Sequence, residues 1–152
     1  MIINLEINGK MIVSEVSPSE KLLSFLRRLG YKSVKEGCME GDCGACTVLL
    51  NGNPVRSCLI FALQADGAKI ETLEGITPKE GLNPIQRAFL DEGAVQCGFC
   101  TPGMILVTKA FLEKNHNPTD EEIREALKGN LCRCTGYEQQ IRAVKRVVNR
   151  DE

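Results

Sequence analysis

Eight cysteines stand in two groups along this chain of 152 residues, and they are the side chains best suited to chemistry. Cys38, Cys43 and Cys46 are spaced C-x4-C-x2-C, and Cys58 follows after eleven intervening residues. Cys97-x2-Cys100 and Cys132-x-Cys134 make up the second group. Deprotonated thiols ligate soft metals, so each group of four can hold a metal centre. Gly37, Gly41 and Gly44 interleave the first three cysteines. Glycine tolerates positive φ and lets backbone amides come close to a bridging sulfide.

The first spacing is that of plant-type [2Fe–2S] ferredoxins. Structural zinc is the weaker reading, because its usual knuckle is a closely spaced cysteine pair. Disulfides come last in a sequence with no signal-peptide pattern. The second group is less specific, since a pair and a distant pair also build zinc ribbons. Its C-x-C half is tight for a zinc knuckle, which favours a second iron–sulfur cluster. Each pair lies ahead of an expected helix start, where free amides and the helix dipole should lower thiol pKa. The lone histidine, His116, sits in the polar Asn115–Pro118 connection and reads as a solvated loop residue. Ligation by two histidines, as in Rieske centres, is ruled out.

The elements that must position these cysteines read as α+β. Ile3, Leu5 and Ile7 alternate with polar residues, and Asn8-Gly9 is a tight-turn dipeptide, so 2–16 should form a hairpin. Ser17-Pro18-Ser19-Glu20 resembles a capped helix start, with Leu22, Leu26 and Leu29 on one face and Gly30 as the stop. A second hairpin around Asn51-Gly52 should carry Cys58 back to the cysteine loop, and Lys69–Leu73 reads as a last strand. Gly75, Pro78, Gly81 and Pro84 mark a boundary, expected between a 1–76 domain and a 77–152 domain. Four helices follow: one from Pro84 capped by Asn83, one from Thr101-Pro102, one from the Thr119-x-x-Glu122 capping box, and one after Gly136-Tyr137. Their inward residues are expected to include Ile105, Thr108, Phe111 and Leu112, then Ile141, Val144 and Val148. Arg142, Lys145, Arg146 and Arg150 read as a solvated basic face.

Hydrophobic content of 43%, charged content of 26% and a net charge of −1 are ordinary for a globular protein. Nothing suggests nucleic-acid binding, and no apolar run approaches a membrane span. The cytoplasm is the expected compartment.

The words GCMEGDCGACTV, AVQCGFCTPGM and GNLCRCTGY, in that order, resemble the small iron–sulfur subunit of the xanthine dehydrogenase (molybdenum hydroxylase) family. The resemblance covers about residues 5–148. It implies a β-grasp, plant-ferredoxin-like N-terminal domain and a C-terminal four-helix domain with a second [2Fe–2S] cluster. By the same resemblance Cys97, Cys100, Cys132 and Cys134 hold the cluster proximal to molybdopterin, and Cys38, Cys43, Cys46 and Cys58 the distal one. Gln96 and Cys134 match positions that contact the pterin. The molybdopterin then belongs to a large partner subunit and FAD to a medium one, with no substrate site on this chain. A free-standing two-cluster ferredoxin and a zinc-stabilised binding module are the competing readings. Val95, Phe99 and Met104 around Gln96 favour a surface that another protein covers.

Overall fold

Alternation of Ile3, Leu5 and Ile7 with polar neighbours buries one face of β1 (Ile2–Ile7), which pairs antiparallel with β2 (Lys10–Glu15). The structure is a computed structural model and describes residues 1–149; Arg150 of the expected basic face lies outside the described residues. At the turn Asn8 and Gly9 both take positive φ, 52° and 78°, as a two-residue hairpin of this twist requires. β3 (Thr47–Leu50) and β4 (Asn53–Arg56) form the second hairpin, around Asn51-Gly52. β5 (Lys69–Glu71) joins the two, parallel to β1 and antiparallel to β3, giving the order β2-β1-β5-β3-β4.

α1 (Leu22–Arg28) lays Leu22, Leu23, Phe25 and Leu26, all fully buried, into one core with Ile3, Leu5, Ile7 and Ile70. Its start differs from the sequence expectation, for Ser17 caps nothing and the helix begins five residues later. Lys21 forms a bridge with Phe61, the Leu22 amide donates to the Ile60 carbonyl at 2.8 Å, and the Ala62 amide donates to Glu20 O at 2.8 Å. The segment around the 3-10 turn Ala62–Ala65 therefore takes the place of a side-chain cap. Glu20 turns instead to Arg28, at 3.0 Å.

The expected boundary region contains a short helix, α2 (Leu73–Ile76). Asn8 fixes its start by accepting from the Thr72 amide and donating to Thr72 Oγ1, each at 2.9 Å. Asn8 is thus more than a turn residue. Glu74 accepts from the Ser33 amide, the Ser33 hydroxyl and the Thr72 hydroxyl, tying α2 to the approach to the first cysteine loop.

The helical half consists of α3 (Pro84–Asp91), α4 (Thr101–Leu112), α5 (Asp120–Leu127) and α6 (Glu138–Val148). The expected Asn83 cap forms, as a capping box with Gln86, and the expected Thr119–Glu122 capping box forms too. α4 departs from the one-faced expectation: Pro102 to Thr108 and Ala110 are all buried, while Phe111 and Leu112 are only half-buried. The cause is its central place, between α3, α5 and β3. Leu49 of β3 meets Leu106 and Ala110 there, so one small apolar cluster joins the two cores. On α6 the inward residue is Val147 rather than Val148. Arg146 of the basic face, still partly exposed, is also paired, with Glu92 at 2.7 Å and Asp91 at 3.3 Å at the end of α3.

Candidate metal centres

The loop 37–46 wraps because its amides turn inward onto sulfur. Cys43 N and Glu40 N donate to Cys38 Sγ, and Cys38 N donates to Cys43 Sγ, each at 3.4 Å. The backbone bonds from Cys43 and Glu40 bring the Cys38 thiol down to about 7. Gly41, at φ 90°, supplies a further amide to Cys58. The β3–β4 hairpin returns Cys58 to Cys46, and both are buried at 2% exposure. Burial first, then the neighbouring Cys46 thiol, push Cys58 up to about 11. Ser57 secures the return by donating to the Cys46 carbonyl at 2.6 Å.

In the second group the Cys97–Cys100 loop precedes α4, and Cys132 and Cys134 lie between α5 and α6. Cys100 reaches Cys132, and Cys134 reaches Cys97. The expectation that helix starts lower these thiols fails at Cys100. Burial, then Cys132, push it up to about 12, outweighing the backbone hydrogen bond that would lower it. Burial acts on Cys132 in the same sense, yet hydrogen bonds from Thr135 and the backbone outweigh it and leave that thiol lowered. Among the described residues no three metal-ligating side chains close on a single ion site. Within each group the thiols contact one another, Cys38 with Cys43 and Cys46 with Cys58 in the first, Cys97 with Cys134 and Cys100 with Cys132 in the second. Four thiols gathered in this way fit a di-iron core bridged by sulfide.

The two groups meet through backbone. Leu131 N, next to Cys132, donates to the Cys43 carbonyl at 2.9 Å. Asn130, 2% exposed, donates to the Gly44 carbonyl at 3.1 Å, and Arg56 bridges Thr47 Oγ1 at 2.8 Å to the Gly129 carbonyl at 2.5 Å. Gly44, at φ 74°, has no room for a side chain: a Cβ would lie 2.9 Å from Asn130 Nδ2. Phe99 stands on the same seam, 3.6 Å from where a Gly37 Cβ would be. Sequence reasoning missed Arg56 and Asn130, whose partners lie 73 and 86 residues away.

Gln96, Cys97 and Cys134 are exposed, and so are Phe99 (46%) and Leu131 (54%) beside them. Val95 is half-buried, but Met104 is wholly within the helical core and takes no part in that surface. His116 is exposed in its loop.

A ferredoxin-like five-stranded half, a helical half and two sets of paired cysteines define a two-centre iron–sulfur protein. Residues 5–72 match the 2Fe-2S iron-sulfur cluster binding domain and residues 72–145 the [2Fe-2S] binding domain. The chain is 54% identical over 149 residues to the nicotinate dehydrogenase small FeS subunit of Eubacterium barkeri, covering 97% of this chain and 95% of the relative. It is 47% identical to the xanthine dehydrogenase iron-sulfur-binding subunit of Escherichia coli O157:H7, covering 93% and 91%. Its structure matches a chain of quinoline 2-oxidoreductase from Pseudomonas putida 86 with a TM-score of 0.95 and 46% identity, over 98% of this chain and 94% of that one. The chain belongs to the small iron–sulfur subunits of the xanthine dehydrogenase (molybdenum hydroxylase) family.

Proposed function

We propose that this chain is the electron-transfer subunit of a molybdenum hydroxylase complex, carrying electrons from molybdopterin on a large partner towards FAD on a medium one. The observation that carries the reading is the abutment of two paired-cysteine sites, joined by the Leu131 N to Cys43 O hydrogen bond. When bound, each [2Fe–2S] cluster accepts and returns one electron at a time. Cys38, Cys43, Cys46 and Cys58 hold the distal cluster, and Cys97, Cys100, Cys132 and Cys134 the proximal one. Inward amides from Glu40, Gly41 and Cys43 stabilise negative sulfur in the first site. Gln96 and Cys134, both exposed, face the partner's pterin.

Residues 1–76 are read as a β-grasp ferredoxin-like domain and residues 77–152 as a helical, four-helix domain. The substrate pocket lies on the large partner, and the complex works in the cytoplasm without nucleic acid. Among the described residues no helix is long and apolar enough to cross a membrane. A free-standing ferredoxin is the weaker reading, because Phe99 and Leu131 present apolar surface beside exposed cysteines, which a covering partner would bury. Purification from native cells tests the proposal. The chain should co-purify with a much larger molybdenum-containing chain, and a monomeric, molybdenum-free preparation would overturn it.

A further inference from the structure

The two sites differ in what donates to their sulfurs. In the first, the donors described above are backbone amides. In the second, backbone groups donate too, but a side-chain hydroxyl joins them: Thr135 Oγ1 lies 3.2 Å from Cys132 Sγ, with Gln140 Nε2 farther off at 3.9 Å. That hydroxyl accepts from Tyr137 N at 3.3 Å, so its single proton is free to be donated. Two acceptors compete for it: Cys132 Sγ and Gln140 Oε1, the latter at 2.9 Å. Gln140 is completely buried, and its amide orientation is fixed because Nε2 donates to the Ala94 carbonyl at 3.2 Å. Its oxygen must therefore face Thr135. Tyr137 fixes the other side, its hydroxyl accepting from Cys132 N at 2.9 Å.

We propose that Thr135 is a redox-responsive donor to the Cys132 sulfur, holding the reduction potential of the second centre above the value it would otherwise have. The inference rests on the reading of that centre as a [2Fe–2S] cluster. An iron-bound Cys132 carries no proton, so the hydroxyl is the donor in this contact. Reduction adds one electron, supplied by the reductant, and one negative charge. It breaks no bond of the protein and transfers no proton away from Thr135. The added charge draws the hydroxyl proton from Gln140 Oε1 towards Cys132 Sγ, because hydrogen bonds to a charged acceptor are the stronger ones. Donors to cluster sulfur stabilise the reduced state and raise its potential. Thr135 is a positioning residue in this account and touches no substrate.

The test is a dithionite titration of the intact complex, following both paramagnetic signals in wild type, Thr135→Val and Thr135→Ser. Thr135→Val should make the second centre harder to reduce by roughly tenfold, which is about 59 mV for a one-electron couple, while the first centre stays at its wild-type midpoint. Thr135→Ser keeps the hydroxyl and should titrate as wild type. One exchangeable proton close to the reduced second centre, seen by electron–nuclear double resonance in deuterium oxide, should be absent from Thr135→Val alone. The proposal is overturned if the second midpoint does not move, if both midpoints move together, or if Thr135→Val and Thr135→Ser lose the second pair of irons alike. A wild-type complex with no second iron signal would instead overturn the assignment of the centre.

Discussion

Gly44 packs against the Gly129–Asn130 segment, and its φ of 74° together with the Asn130 side chain leave no space for a methyl group. Gly44→Ala should cost about 1–2 kcal/mol for the left-handed backbone and roughly 1–3 kcal/mol more for overpacking, read as a lowered denaturation midpoint and faster loss of iron. Glu74 gives a pH prediction. Burial pushes its carboxyl up, but the Ser33 and Thr72 hydroxyls and the Ser33 amide outweigh it and hold the pKa below the usual range. A depressed folded pKa contributes stability that is present above the unfolded value of about 4.3 and is lost as pH falls through the lower folded one. Glu74→Gln should therefore flatten the acid limb of stability against pH, by a small amount because the side chain meets solvent. At this scale the cysteines were legible, since ligand spacing is a property of local chain. Arg56, Asn130 and Thr135 were not, because their meaning lies in which carbonyl or sulfur the fold brings to them.

Among the elements, the helix caps were legible and the packing faces were less so. Asn83 and Thr119 act through amides three residues away, Gln86 N at 2.9 Å and Glu122 N at 3.3 Å, and so follow from the sequence alone. Asn83 also donates to the Ile76 carbonyl at 3.0 Å, closing α2 onto α3. Asn83→Ala should cost about 1 kcal/mol or slightly more, measurable as a lowered melting temperature with both centres still present. The Ser17 cap failed because a distant segment supplies the partners for the start of α1: Phe61 bridges Lys21 and Ile60 takes the Leu22 amide. Periodicity also misjudged α4, where contact on several sides leaves no polar face over its first turns. Met104, fully buried there, should cost roughly 2–5 kcal/mol when changed to Ala, an outcome unlike that of a surface residue and checked by urea unfolding.

Across the whole molecule the two halves keep separate cores but share a seam, apolar at Leu49, Leu106 and Ala110 and polar at Arg56, Asn130 and Leu131. Apart from the short α2, the order of strands, helices and cysteine groups was readable from the sequence, whereas the seam was not, since it pairs residues far apart in the chain. The Cys43 group that meets Leu131 is a backbone carbonyl, which serine would keep. Cys43→Ser should therefore abolish the first centre and leave the second in place, roughly halving the iron content. Loss of both signals would make the seam a single cooperative unit. The central claim is that this chain houses two sulfide-bridged di-iron centres, and iron and acid-labile sulfide analysis of the anaerobically purified native complex tests it most directly. The account predicts about four irons and four sulfides per copy of this chain; two irons or fewer, or zinc in their place, would contradict it.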